Sequence, residues 1–231
     1  MNIRAFFQES RVPVRHARIV LGRLQAYEAG GHVPQIHASA LVHESAVLIG
    51  NVCIGADCYI GPNAVCRGDQ GSIVIEKATS VQDNCILHTG PGGRVVVGEL
   101  GQIGHGAMLH GCTIGRNVLV GMGSILLDDA LIEDEALVAA GTLVLTGQRV
   151  PPRMLIRGNP GKVVRRVTDQ ELSEKAQICQ NYVAIARLGI GIRRVIPRIV
   201  GSSNETHADR IARPTRQTPD EGRASESVPL A

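Results

Sequence analysis

The sequence predicts an all-β fold, a parallel β-helix of hexapeptide repeats with a C-terminal α-helix packed alongside. Three observations predict it. An apolar residue returns every six positions in four runs, Ile36, Val42, Leu48, Ile54, Ile60, Cys66; Ile75, Val81, Leu87; Val97, Ile103, Leu109; and Ile114, Val120, Leu126, Ile132, Val138, Val144. Four places after most of these the residue is small, as at Ala40, Ala46, Cys58, Ala64, Cys85, Ala107, Ser124, Ala130, Ala136 and Thr142. Finally, 231 residues contain only two Phe, three Tyr and no Trp, which suits a bore too narrow for large rings. A short fixed period marks units that must stack to bury their apolar faces. Three hexads per turn give about six triangular coils, stacked at a strand spacing of about 4.8 Å.

The elements follow in order. Residues 1–32 form a basic N-terminal extension, with Arg4, Arg11, Arg15, Arg18 and Arg23 against one acid, Glu9, in its first 26 residues. That profile predicts either a targeting or surface-docking helix or a helix covering the open end of the coil. The coil occupies 33–150. Its rhythm is broken by a short loop before Ile75, by the glycine-rich insertion after Leu87, and by a five-residue step before Ile114.

Residues 151–200 leave the coil through the turn signals Pro151-Pro152 and Asn159-Pro160-Gly161 and hold a C-terminal helix. Thr168-Asp169-Gln170-Glu171 has the form of a capping box, and Leu172, Ala176, Cys179, Val183 and Ala186 make an apolar stripe ending near Leu188. The basic apolar segment 190–200 suits either packing or a partner contact. Residues 201–231 are polar and predict a disordered tail.

Six cysteines without a CxxC pair read as reduced core residues, which favours the cytosol or the mitochondrial matrix. A net charge of +3 points to no nucleic-acid partner, and no apolar run is long enough to span a bilayer.

Chemistry is sought in the side chains that break the rhythm. Cys66, Leu87 and Leu109 fall on one face of the triangle, so Arg67, His88 and His110 form an outward column. Val81 and Ile103 share the preceding face, which puts Asp83 and His105 on a different edge. His88 and His110 can share an ion, and a threefold ring of chains would bring His105 of a neighbour to them. The same packing sets Arg67 near Asp83 across the interface. Three histidines and an open position suit zinc, although iron or cobalt fits the same donors.

Several motifs then show a family resemblance: Arg67-Gly68-Asp69, Val81-Gln82-Asp83-Asn84, Leu87-His88, the run Gly104–Cys112, Gly121-Met122-Gly123 and Gly158-Asn159-Pro160. Over roughly 33–188 the chain resembles the γ-class carbonic anhydrases. The resemblance implies a left-handed coil, a homo- or heterotrimer, and metal sites formed by His88 and His110 of one chain with His105 of the next. It implies that Gln82 orients a metal-bound water while Arg67, Asp69 and Asp83 hold the interface. Hydration of CO2 to bicarbonate by zinc hydroxide is the activity expected. Gln70 and the glycines of 90–93 stand where acidic proton shuttles are found in the best-known member, so weak turnover is expected. Tyr182 and Gln70 are candidates for the rim of the site.

Relatives within the resemblance suggest two settings. One is a subunit on the matrix side of mitochondrial respiratory complex I, docked through the N-terminal helix and 190–200. The other is a bacterial cytoplasmic protein acting as an acyl-CoA thioesterase or acyltransferase. The long, basic ends tilt the sequence reading towards the mitochondrial setting.

Overall fold

A computed structural model describes residues 24–188. The expected N-terminal helix, the 190–200 segment and the 201–231 tail lie outside the described residues.

The described chain is a left-handed parallel β-helix with one long helix, α1 (Asp169–Leu188). Its strands form a 12-stranded and an 8-stranded sheet. The six-residue rhythm becomes three stacked columns of inward side chains. Ile54, Ile75, Val97, Ile114, Ile132 and Val150 line the first face. Ile60, Val81, Ile103, Val120, Val138 and Ile156 line the second, and Leu48, Cys66, Leu87, Leu109, Leu126 and Val144 the third. All are essentially inaccessible to solvent. Parallel register puts like over like, and removing each aliphatic side chain from water contributes roughly 1.5–3 kcal/mol.

The small residues four places on are buried at the corners. Left-handed backbone at corner positions such as Asn63, Asn84 and Asn117 (φ 56–59°) turns the chain there; Asn tolerates that conformation better than most residues.

The coil is longer than the expected six turns. Val42, in register with Ile60, begins the second face, so Leu155 and Ile156, in register with Leu137 and Val138, make its seventh rung. Pro151 and Pro152, expected to mark an exit from the coil, sit in a corner instead and leave the six-residue step from Val150 to Ile156 intact. At the other end, Gln25–Tyr27 pair in parallel with Val47–Ile49. The last rung is closed by Lys162–Arg166, antiparallel to Met154–Arg157.

Helix α1 begins with the expected capping box. Thr168 Oγ1 accepts from the Glu171 N–H at 3.2 Å, and a Glu171 carboxylate oxygen accepts from the Thr168 N–H at 2.9 Å. The helix is anchored to the coil along its length. Leu172 packs against the buried cluster Leu137, Leu155 and Val167. Lys175 donates to the carbonyl of Leu100 and, at 2.7 Å, to Asn117 Oδ1. The Tyr182 ring lies 5.2 Å from Tyr59, and Arg187 pairs with Asp57 at 2.7 Å. The expected apolar stripe omitted Lys175, which is 2% exposed. Its alkyl stem lies within the buried stripe while its amine finds acceptors beyond it.

Candidate functional site

His88 and His110 end adjacent strands of the third face and are partners in register. Alternation along a strand sends Leu87 and Leu109 inward, so the residue after each points out. The two imidazoles lie 5.1 Å apart, centroid to centroid, tilted by 57°. Their two outer nitrogens meet different surroundings. His110 Nδ1 is 2.7 Å from Asp128 Oδ1. His88 Nε2 is buried without a hydrogen-bond partner, although Asp69 Oδ1 lies 3.3 Å away. The other Asp69 oxygen accepts from Arg67 at 2.9 Å.

The electrostatics follow from these contacts. Burial, and then the nearby Arg67 charge, push His88 below the usual histidine pKa, against the opposing pull of Asp69. Desolvation works to raise Asp69, but the Arg67 hydrogen bond and charge, with smaller contributions from its own backbone and His88, together outweigh it and hold the carboxyl low. A neutral imidazole beside an ionised carboxylate is the resulting state near neutral pH.

The third histidine stands apart. His105 lies at the corner between the second and third faces, with Nδ1 3.6 Å from Asp83 and its side chain 46% exposed. Among the described residues no group of three His, Cys, Asp or Glu side chains could hold a metal within one chain. Two donors of the expected set therefore meet and the third does not. Within the chain Arg67 is paired with Asp69 and Asp83 with His105.

The remaining candidates divide in the same way. Gln82 is buried at the His105 corner. Gln70 is exposed, and its carbonyl accepts from the Gly92 N–H at 2.8 Å, which ties the glycine-rich loop down beside His88. Tyr182 packs on Tyr59; burial, and then Asp83, raise its phenol pKa. Sequence reasoning missed Asp128. Yet one coil of the later repeat is eighteen residues, and eighteen positions beyond His110 is Asp128, so the signal was available.

Beside the histidines, Ile86, Met108 and Ile125 stand in register on the outside of the third face, each 39–41% exposed. This apolar ladder has no covering element among the described residues.

Fold and site together define a hexapeptide-repeat protein of the left-handed β-helix class. Solved structures agree. The chain is 34% identical to a Bacillus cereus protein whose description proposes an acetyltransferase, with a TM-score of 0.71 over 72% of this chain and 97% of that one. It is 37% identical to a hexapeptide transferase family protein from Anaplasma phagocytophilum, with a TM-score of 0.69 over 71% and 98%. No family model matches the chain. Among curated proteins it is 46% identical over 160 residues to the carnitine operon protein CaiE of Salmonella agona, covering 69% of this chain and 81% of that one. It is 47% identical over 156 residues to CaiE of Escherichia coli K12, covering 68% and 80%. The chain belongs to the family of the carnitine operon protein CaiE.

These findings correct the functional expectation. Carbonic anhydrase was expected from the three histidines, but the relatives are carnitine-operon proteins and the similar structures are described as transferases. The mitochondrial and complex I setting is corrected as well, because these curated relatives are bacterial. Its support lay in the chain ends, most of which fall outside the described residues. None of the relatives or structures named here is described by zinc. Among the described residues no helix is long and apolar enough to cross a membrane.

Proposed function

We propose that the chain is a bacterial, cytoplasmic acyltransferase or thioesterase that acts on coenzyme A thioesters, assembled as a trimer of identical chains. The observation that carries this reading is the His88–His110 pair, set beside an apolar ladder that a second copy would cover. The transferases among the similar structures supply the reaction class.

The chemistry needs one base. His110 Nδ1 is engaged by Asp128, so Nε2 carries the free lone pair and serves as the proton acceptor. Nε2 takes the proton from an acceptor hydroxyl, amine or water as that atom attacks the thioester carbonyl. The carbon–sulfur bond then breaks, and the departing thiolate takes the proton from Nε2. His88, neutral and buried on one side, shapes the wall of the site next to Asp69 and Arg67.

A second reading is favoured by the orphaned His88 Nε2, a buried nitrogen with no hydrogen-bond partner. His88 and His110, with His105 of a second copy, would hold a divalent cation. Polarisation of a carbonyl is the chemistry such a cation supplies. In that case His110 Nε2 is a ligand and cannot also be the base.

A thiol-release assay over a panel of acyl-CoA substrates tests the proposal. The panel includes the thioester of carnitine, since the relatives are named for a carnitine operon. Turnover lost on His110→Asn is the expected result, and no turnover of any thioester would contradict it. Elemental analysis for zinc, iron and cobalt separates the two readings: one ion per chain, lost on His88→Ala, supports the cation, and a metal-free active protein supports the base.

A further inference from the structure

We infer that Asp128 is a positioning residue that sets the tautomer of His110, and that Gly111 is a glycine because Asp128 needs its space. The inference rests on the proposed use of His110 Nε2, as base or as ligand, since either role requires a lone pair on that nitrogen.

Three observations support it. The first is the contact itself. At 2.7 Å between His110 Nδ1 and Asp128 Oδ1, the imidazole N–H donates to the carboxylate and the neutral ring carries its proton on Nδ1. A free histidine side chain has no such constraint. The second is the backbone between them. A Cβ added at Gly111 would lie 2.1 Å from Asp128 Oδ1 and 3.1 Å from its Cγ, and Gly111 has a φ of 58°. A larger residue would collide with the carboxylate as well as strain the turn. The Gly111 carbonyl also accepts from the Asp129 N–H at 2.9 Å, which fixes the backbone next to Asp128. The third is the asymmetry of the pair. The residue in register above His88 is His110 itself, so the carboxylate serves one imidazole only, and Asp69 approaches His88 from its Nε2 side instead.

The contact contributes little to folding. Asp128 is 51% and His110 34% exposed at the side chain, and pairs this open to water stabilise by about 1 kcal/mol or less. Its effect is orientation, in the way that a carboxylate behind a catalytic or ligating histidine fixes which nitrogen faces forward.

The test reads the tautomer directly. Long-range 15N–1H spectra of histidine-labelled full-length protein distinguish protonation at Nδ1 from protonation at Nε2. In the wild-type chain His110 is expected as the Nδ1–H form. Asp128→Ala is expected to release it towards the Nε2–H form and to lower kcat about 10–100-fold with KM little changed. Asp128→Asn keeps an acceptor oxygen and is expected to hold the tautomer and restore part of kcat. Gly111→Ala should behave as Asp128→Ala does, with the His110 and Asp128 side chains both present. A His110 spectrum that shows Nε2–H in the wild type, or that Asp128→Ala leaves unchanged, overturns the inference. A wild-type protein that turns over no thioester overturns the proposed activity instead, while the spectra still decide the role of Asp128.

Discussion

The second and third faces of the coil carry the same inward aliphatic ladder but differ on the outside. On the second face the outward residues Leu137 and Leu155 are covered by Val167 and Leu172 from the following segment and helix α1. On the third face Ile86, Met108 and Ile125 make an equally regular column that nothing in the described chain covers. The described residues close one apolar face themselves and leave the other, beside His88 and His110, uncovered. In the proposed trimer the uncovered face is where a second copy would sit and complete the site.

A charge placed on each face should break the comparison in opposite ways. Met108→Glu would bury a carboxylate without a partner between copies, at a cost of several kcal/mol. It is expected to yield single chains with an unchanged circular dichroism spectrum. Leu137→Glu places the same charge under the chain's own helix and is expected to unfold or markedly destabilise the protomer. Met108→Glu protein that remains assembled would show that the third face is solvent-exposed in the working molecule.

A smaller effect is expected from Lys175→Ala. The substitution leaves Asn117 and the Leu100 carbonyl without their donor under the helix, a loss of about 1–3 kcal/mol in denaturant unfolding. Assembly should be unaffected, because the contact lies on the self-covered side.

The smallest effect is a pH dependence at the start of the same helix. Hydrogen bonds from Arg165 hold the Glu171 carboxyl at about 2, against an ordinary 4.5. A depressed pKa means that the unfolded chain takes up the proton first. The stabilisation is therefore complete above pH 4.5 and is lost as the pH falls from 4.5 towards 2. Wild-type melting temperature should fall more steeply through that window than that of Glu171→Gln, and parallel curves would refute the role.

The fold was legible because one period set everything. Ile103, Val120 and Val138 could be placed on one face by counting, and their register follows the count. The seventh rung was missed because Pro151-Pro152 was read as an end, although a corner accommodates proline without breaking a ladder. In the site, His88 over His110 was legible for the same reason. Asp128 was not seen, because attention to known ligand types passed over a carboxylate whose only signal was its eighteen-residue offset. Lys175 was missed because a lysine in an apolar stripe looks like an interruption until its acceptors are known. The activity was not legible, since the residues around His105 and His110 suggest CO2 hydration whereas the relatives are carnitine-operon proteins and the similar structures transferases.

The mass of the wild-type assembly in solution tests the central claim most directly. Sedimentation equilibrium should give a particle of three chains, in which the Ile86–Met108–Ile125 column is covered. A single species at the 24.5 kDa of one chain would contradict it, because His88 and His110 would then stand on an open face with no second copy to complete them.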